Sequence, residues 1–170
     1  VQVYATWNGG GTVNLSLLGA DFLPASATLG ENVQNAIDPP PNQGLGLGLA
    51  PIGAKVTVAA PTELTVNVSA TLMLAAGYAI GQVQEPVEQA IEAYLLSVRQ
   101  EWDTNTSSTA VSYAADVYVA RITAAIVGVT GVVNATNVQL NGGTADLILT
   151  ETGETQQVPV IGTVTLSESN

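Results

Sequence analysis

The stretch Leu64-Thr-Val-Asn-Val-Ser-Ala-Thr-Leu-Met-Leu74 alternates apolar and polar residues over eleven positions and predicts a long β-strand. A period of two places all of its aliphatic residues on one face, because successive side chains of a strand point to opposite sides. The other face carries Thr65, Asn67, Ser69 and Thr71 and no charge. Since a solvent-exposed strand face usually carries Lys and Glu, we expect this face to be covered by another element or another subunit.

Helical spacing of apolar residues predicts three helices around this strand. The first begins near Ser26 and is stopped by the prolines that follow Asp38. The second is the clearest, because apolar residues line one side of Val83–Val98 and Gln and Glu occupy the other. The third has Asp116 as its N-cap and ends at Gly128.

The order of the elements, β-β-α-β followed by β-α-α-β-β-β, predicts an α+β fold. We expect mostly antiparallel sheets with about three helices packed on them. We also expect two small sequential lobes, residues 1–60 and 61–170. A turn is predicted at Asn141-Gly-Gly143. Further strands are predicted at Val1–Thr6, Thr12–Leu18, Ala54–Ala59, Val132–Leu140, Ala145–Thr150 and Val158–Leu166.

The composition of the chain excludes several classes of partner. Only 10% of the 170 residues are charged, and 3 basic residues stand against 14 acidic ones, for a net charge of −11. Binding to nucleic acid or to an anionic membrane needs clustered Lys and Arg, so we expect neither partner. In an ordinary soluble domain about a quarter of the residues are charged. Part of this weakly charged surface is therefore expected to be buried by other proteins.

Two residue types that are common in active sites and metal sites are missing from the chain. The chain has no Cys and no His, which excludes disulfide scaffolds, zinc fingers and His-dependent triads. We found no catalytic constellation, so we expect no enzymatic activity, no cofactor, no metal and no small-molecule substrate. The chain begins at Val1 without an initiating Met or a basic leader, and we expect it to be a fragment of a longer protein.

The glycine-rich stretch Gly44-Leu-Gly-Leu-Gly-Leu-Ala-Pro-Ile-Gly-Ala-Lys-Val-Thr-Val58 resembles a phosphate-binding loop at first sight. Such a loop follows a strand and opens a helix, so that the phosphate meets the helix N-terminus. Here prolines precede the glycines and a predicted strand follows them, so the order is reversed. We interpret the stretch as a connector into the sheet, with Pro51–Gly53 as a tight turn, and as a contact loop.

A series of local features, in order along nearly the whole chain, resembles the C-terminal region of the phage baseplate J-like proteins. No single piece is specific, but Ala50-Pro-Ile-Gly-Ala54 and the late Val129-Thr-Gly-Val-Val133 are the most telling. The other matching pieces are Gly11–Leu15, Pro24–Ser26, Val33–Gln34, Ile37–Pro39, Leu64–Val68, Val83–Val98, Val117–Ile122 and Val158–Gly162.

The resemblance implies a structural role in the wedges of a contractile-tail baseplate. Proteins of this family assemble in more than one copy around a tail hub and contact neighbouring baseplate proteins. The expected partners are therefore other baseplate and tail proteins and further copies of the chain. The implied location is the virion, after assembly in the bacterial cytoplasm. A phage, a prophage and a related contractile injection apparatus all remain open as the source.

Three segments are the candidate contact surfaces. The first is the Pro39–Leu49 loop, the second is the uncharged strand face, and the third is the Trp102–Ser108 loop. Exposed tryptophans often anchor interfaces, although core or loop packing explains each Trp equally well. The alternative function is a carbohydrate-binding module of a tail-tip or surface protein, which would need an exposed aromatic platform or a cation site. The candidate interface residues are Trp7, Asn42, Leu45, Leu47, Thr65, Asn67, Ser69, Thr71 and Trp102.

Overall fold

The computed structural model describes residues 1–102 and 116–169 and has an α+β fold, as predicted. Its described part contains three helices and two three-stranded sheets, and each sheet is mixed. The strands are β1 (Gln2–Ala5), β2 (Thr12–Ser16), β3 (Lys55–Ala59), β4 (Thr62–Leu74), β5 (Val132–Leu140) and β6 (Gln157–Glu168). The helices are α1 (Ala27–Ile37), α2 (Ile80–Gln100) and α3 (Val119–Val127).

The chain forms two compact units. The described part of the first unit comprises Val1–Glu63, Trp102 and Thr150–Val158. The second comprises residues 64–101, 116–149 and 159–169. Each unit is assembled from separated segments of the sequence. The two sequential lobes, 1–60 and 61–170, remain a prediction.

The first unit is built on a sheet with strand order β1-β2-β3. Strands β1 and β2 pair antiparallel, with Tyr4 opposite Asn14, whereas β2 and β3 pair parallel, with Val13 opposite Val56. Parallel strands need a crossover connection, and α1 lies within the one that joins β2 to β3. Strand β3 is an edge strand of this sheet, because it comes last in the strand order and pairs only with β2.

Helix α1 is attached to the edge of β3 by polar side chains. It begins after Ser26, whose hydroxyl accepts from Leu29 N–H, and no residue of the helix is fully buried. The carboxamide of Gln34 acts as a substitute strand partner. Its Nε2 donates to the carbonyl of Val56 at 2.9 Å, and its Oε1 accepts from Val58 N–H at 2.8 Å. Covering an edge in this way prevents unwanted pairing with other chains.

We predict that Gln34→Met lowers the free energy of unfolding by about 2 kcal/mol, because Val58 N–H loses its partner and Val56 O keeps only the hydrogen bond from Gln43. Urea denaturation of the variant provides the measurement. Gln89→Met is the matched control, since Gln89 bonds only the exposed Glu85 side chain, and we expect a change within about 0.5 kcal/mol. Equal effects of the two substitutions would contradict the edge-covering role.

The second unit packs helices against a sheet with strand order β5-β4-β6. Strands β4 and β5 pair antiparallel with irregular register near Ser69 and Met73, and β6 is the parallel neighbour of β4. The aliphatic face of β4 is buried as its alternation predicts. The core of this unit consists of Val66, Val68, Ala70, Leu72, Val83, Val87, Ile91, Leu95, Val117, Ile122, Ile126, Ala135, Val138, Leu140 and Val164.

Two sequence predictions for this unit are wrong. The segment Ala145–Thr150 is not a strand; it makes only one isolated bridge, between Leu147 and Val117. That bridge keeps the chain extended at Val117, so α3 begins at Val119 and Asp116 is not its N-cap. The carboxylate of Asp146 accepts from Val119 N–H at 2.7 Å instead. Asp116 accepts from Leu149 N–H at 3.1 Å.

Candidate interface surfaces

Residues 44–53, the apolar loop, present four large aliphatic side chains to solvent. The exposed fractions are 60% for Leu45, 65% for Leu47, 82% for Leu49 and 84% for Ile52. The sequence from Pro39 to Ala54 contains no charged residue, so the chain around these side chains is neutral too. Clustered exposed aliphatic residues of this kind mark interaction sites on soluble proteins.

The backbone of the apolar loop is held firmly despite its exposed side chains. Gly53 N–H donates to the carbonyl of Gly44 at 2.8 Å and closes the loop. Leu49 N–H donates to Ala36 O at 3.1 Å, and Ala50 N–H donates to the last carbonyl of α1 at 2.8 Å. The side chains are therefore presented on an ordered scaffold, which lowers the entropy lost on binding.

The alternating glycines of the loop are explained by close approaches and backbone conformation. A Cβ on Gly48 would lie 2.4 Å from the carbonyl oxygen of Ile37, which leaves no room for any side chain. Gly46 has φ +69°, and a Cβ there would lie 2.7 Å from Cγ1 of Ile52. The glycines let the loop fold tightly against α1 and against itself. The leucines between them are left facing outward.

Asp38 ties the start of the apolar loop to the sheet. Its carboxylate is 1% exposed and accepts from Gly44 N–H and from Val56 N–H, both at 2.9 Å. Asp38 is also the C-cap of α1, and its own N–H donates to Gln34 O. One side chain thus joins the helix end, the loop and the edge strand β3.

Part of the outer side of the sheet in the second unit, beside Thr65 to Thr71 of β4, is a polar surface without charges, which we call the neutral face. It carries hydroxyl and amide side chains from all three strands and includes a shallow depression of about 220 Å³ between Thr71 and Ser167. Thr65 and Asn67 are exposed, whereas Ser69 and Thr71 are half-buried by their neighbours. The neutral face consists of Thr65, Asn67, Ser69, Thr71, Asn137, Gln139, Thr163, Thr165 and Ser167.

Hydrogen bonds order one end of the neutral face. The Oδ1 of Asn67 accepts from Thr163 N–H at 2.9 Å, and Asn67 N–H donates to Oδ1 of Asn141 at 2.8 Å. The Nδ2 of Asn141 donates to Thr65 O at 3.0 Å. Asn141 has φ +49° and Gly142 has φ +78°, which confirms the tight turn predicted there.

We predict that Asn141→Ala lowers the free energy of unfolding by about 2 kcal/mol, through lost hydrogen bonds and a left-handed backbone that alanine disfavours. Asn141→Gly is the matched comparison, because it keeps the conformational freedom and loses only the hydrogen bonds. We expect its loss to be smaller. Chemical denaturation measures both, and a larger loss for the glycine variant would contradict this explanation.

The two tryptophans lie in different environments. Trp102 is 1% exposed, and its indole N–H donates to Gln157 O at 2.9 Å. Its carbonyl accepts from Nε2 of Gln2 at 2.7 Å, so this residue is packed in the interior as the alternative interpretation expects. Trp7 is half-buried, and its indole N–H has no hydrogen-bond partner among the described residues. The predicted Trp102–Ser108 contact loop lies outside the described residues beyond Trp102.

The described residues offer little acid–base chemistry. Within them no group of three or more acidic residues is placed to hold a metal ion. Burial raises the pKa of Tyr94, and a hydrogen bond from Tyr118 N–H to its hydroxyl, at 3.0 Å, opposes that shift. Arg99 is 4% exposed and pairs with Glu92 while donating to Pro159 O.

None of the helices described is long and apolar enough to cross a bilayer.

Comparison with known sequences accounts for almost the whole chain. Residues 1–60 match the Baseplate J-like central domain, and residues 66–167 match the Baseplate J-like protein C-terminal domain. The chain belongs to the baseplate J-like family. This family consists of structural proteins of the phage tail baseplate. The resemblance identified from the sequence is thereby confirmed.

Two curated proteins of Bacillus subtilis (strain 168) are similar to this baseplate J-like chain. The phage-like element PBSX protein XkdT is 28% identical over 167 residues, which is 98% of the chain and 43% of XkdT. The uncharacterized protein YqbT is 41% identical over 91 residues, which is 54% of the chain and 26% of YqbT. The chain thus spans less than half the length of the curated relatives it matches.

Sequence reasoning missed several residues that shape the baseplate J-like chain's surfaces. Leu49 and Ile52 are the most exposed members of the apolar loop, yet they were predicted only as parts of contact segments and not as individual interface residues. Their exposure could have been inferred from the glycines that alternate with them. The roles of Gln34 and Asp38 could not, because their partners on β3 are 18 to 24 residues away in the sequence.

Proposed function

We propose that the protein is a structural subunit of a contractile-tail baseplate that acts through protein–protein contacts in wedge assembly. The match of both baseplate J-like domains, over residues 1–60 and 66–167, is the observation that carries this proposal. Other tail proteins and further copies of the chain are the partners. The protein assembles in the bacterial cytoplasm and ends in the virion tail.

The apolar loop is the first proposed contact. Four aliphatic side chains that are 60–84% exposed would be removed from water in a complex. Burying a Leu or Ile side chain stabilises by about 1.5–3 kcal/mol, so two of them can decide whether a contact forms. Asn42, just before the loop, is exposed and provides a polar group at its rim.

The neutral face is the second proposed contact. Thr, Ser, Asn and Gln side chains can be buried with their hydrogen bonds satisfied, and no charge has to be desolvated on this surface. Two chains of net charge −11 repel each other, and this repulsion is weakest when the surfaces that meet carry no charge. The neutral face is therefore suited to contacts between acidic neighbours, including copies of the same chain.

A carbohydrate-binding module is the weaker alternative. Sugar recognition on a sheet would use an exposed aromatic platform, and the nine residues of the neutral face include no aromatic side chain. Trp102 is buried and Trp7 is half-buried. No contact of the described residues favours this second function.

The direct test is to find the protein in purified tail particles. Particles would be isolated from cells that express the element encoding it, washed at high salt, and analysed by quantitative mass spectrometry. We expect a fixed ratio of the protein to the tail-tube subunit and labelling by antibody only at the baseplate end in electron micrographs. Absence from washed particles, or labelling along the tail shaft, would contradict the proposed function.

A further inference from the structure

The free edge of β3 is covered along only part of its length. The N–H groups of Val56 and Val58 bond to the side chains of Asp38 and Gln34. The next groups on the same side are the carbonyl of Val58 and the N–H of Ala60, and neither has a partner among the described residues. An edge with one unpaired acceptor and one unpaired donor is a template for another extended chain.

A groove runs beside these two open groups. Its volume is about 350 Å³, and it lies between the N-terminal half of α1 and the end of β3. Six of its eleven lining residues are small, which lets another backbone approach the end of the strand. The rim carries Glu31, Gln34 and Asn35 of α1. The small lining residues are Ala25, Ser26, Ala27, Gly30, Ala59 and Ala60.

We propose that this groove binds a short extended segment of a neighbouring tail protein, which adds to β3 as a further strand. The inference rests on the proposed function, since it names a contact used in assembly. An incoming residue beside Ala59 can donate its N–H to Val58 O and accept from Ala60 N–H. Peptide recognition by strand addition uses main-chain bonds for affinity and side-chain pockets for specificity.

The geometry also limits the length and charge of the segment. The Gln34 carboxamide occupies the edge at Val56 and Val58, so the added strand stops there and spans only a few residues. Glu31 is the one charged residue among those lining the groove. A neutral or basic segment is therefore favoured over an acidic one. Only 3 residues of this chain are basic, so a basic segment that complements Glu31 is expected from a different protein.

A photo-crosslinking amino acid at Asn35 tests this proposal in intact tail particles. Asn35 lines the groove, whereas Asn32, also exposed on α1, does not and serves as the matched control. We expect a discrete cross-linked product from position 35 that is absent from position 32, and mass spectrometry should place it in one short segment of one tail protein. Equal products from both positions would overturn the proposal.

The substitution Gly30→Leu provides a second, independent test of the groove. A Cβ at Gly30 meets no atom within 4 Å, so leucine fits the helix, fills the groove, and should raise the thermal midpoint because leucine is the better helix former. Gly81→Leu is the control, since Gly81 of α2 is equally unobstructed and lies far from the groove in sequence. We expect Gly30→Leu alone to abolish the cross-link from position 35.

The outcomes separate this inference from the proposed function. A cross-link that persists in Gly30→Leu particles would show that the groove is not the binding site. Particles that contain the protein but give no product specific to position 35 would overturn the inference and leave the structural function standing. Particles that lack the protein altogether would overturn both.

Discussion

The double substitution Leu47→Ser and Ile52→Ser is expected to abolish incorporation of the protein into tail particles without disturbing its fold. Both side chains are mostly exposed, at 65% and 84%, so removing them from the free protein should change the free energy of unfolding by no more than about 0.5 kcal/mol. In a complex each would be buried, and interface anchors of this size commonly contribute about 2 kcal/mol or more. Two lost anchors weaken the contact by a factor of about 1,000.

The measurement compares variant and wild-type protein in the same cells, by quantifying the amount recovered in washed particles. Ile148→Ser is the matched control, because Ile148 is 71% exposed but lies outside the apolar loop. We expect the control to be incorporated normally. Normal incorporation of the double variant would mean that the apolar loop is not an assembly contact.

The substitution Asp38→Ala is expected to have the largest effect on stability. It removes the carboxylate that accepts from Gly44 N–H and Val56 N–H, and leaves both of these donors without their partner. An unsatisfied buried donor costs about 1–3 kcal/mol, so we expect a total loss of about 4 kcal/mol. The apolar loop should also lose order, because its first hydrogen bond to the scaffold is gone.

Denaturant unfolding measures the loss of stability, and amide hydrogen exchange of residues 44–53 reports the order of the loop. Asp21→Ala is the control, since Asp21 also accepts from a backbone N–H, that of Leu23 at 3.1 Å, but in an exposed position. We expect that control to lose no more than about 1 kcal/mol. An Asp38→Ala protein as stable as the control would refute the structural role assigned to this carboxylate.

Local patterns predicted the elements whose stability is decided by their own residues. The alternation of 64–74 became β4, with its aliphatic side chains in the core. The apolar stripe of 83–98 became α2, which extends from Ile80 to Gln100. Helix α1 begins after Ser26 and ends before Asp38 as expected, because both caps act through the helix's own backbone.

The failures occurred where a distant segment decides the local structure. The start of α3 is set by the bridge between Val117 and Leu147 and by the carboxylate of Asp146, about thirty residues away in the sequence. Of the two environments that the sequence left open for Trp102, the structure has the interior one, where its indole N–H donates to the carbonyl of Gln157. Contacts across such separations depend on the tertiary fold, and neither propensity nor periodicity encodes them.

The glycines of the apolar loop link sequence, structure and function most closely. Their spacing first suggests a phosphate site, which the following strand β3 excludes. The structure shows instead that Gly46 and Gly48 permit tight packing against Ile52 and the end of α1. That packing turns the intervening aliphatic side chains outward. The same residues thereby become a pre-ordered surface that we propose docks onto a neighbouring tail protein.

A cryo-electron microscopy reconstruction of the assembled baseplate would show whether the apolar loop is an assembly contact. The solvent exposure of Leu45, Leu47, Leu49 and Ile52 in the particle is the quantity to measure. We predict that at least Leu47 and Ile52, which are 65% and 84% exposed in the free protein, are buried against a neighbouring protein. A reconstruction in which all four side chains still face solvent would contradict the account.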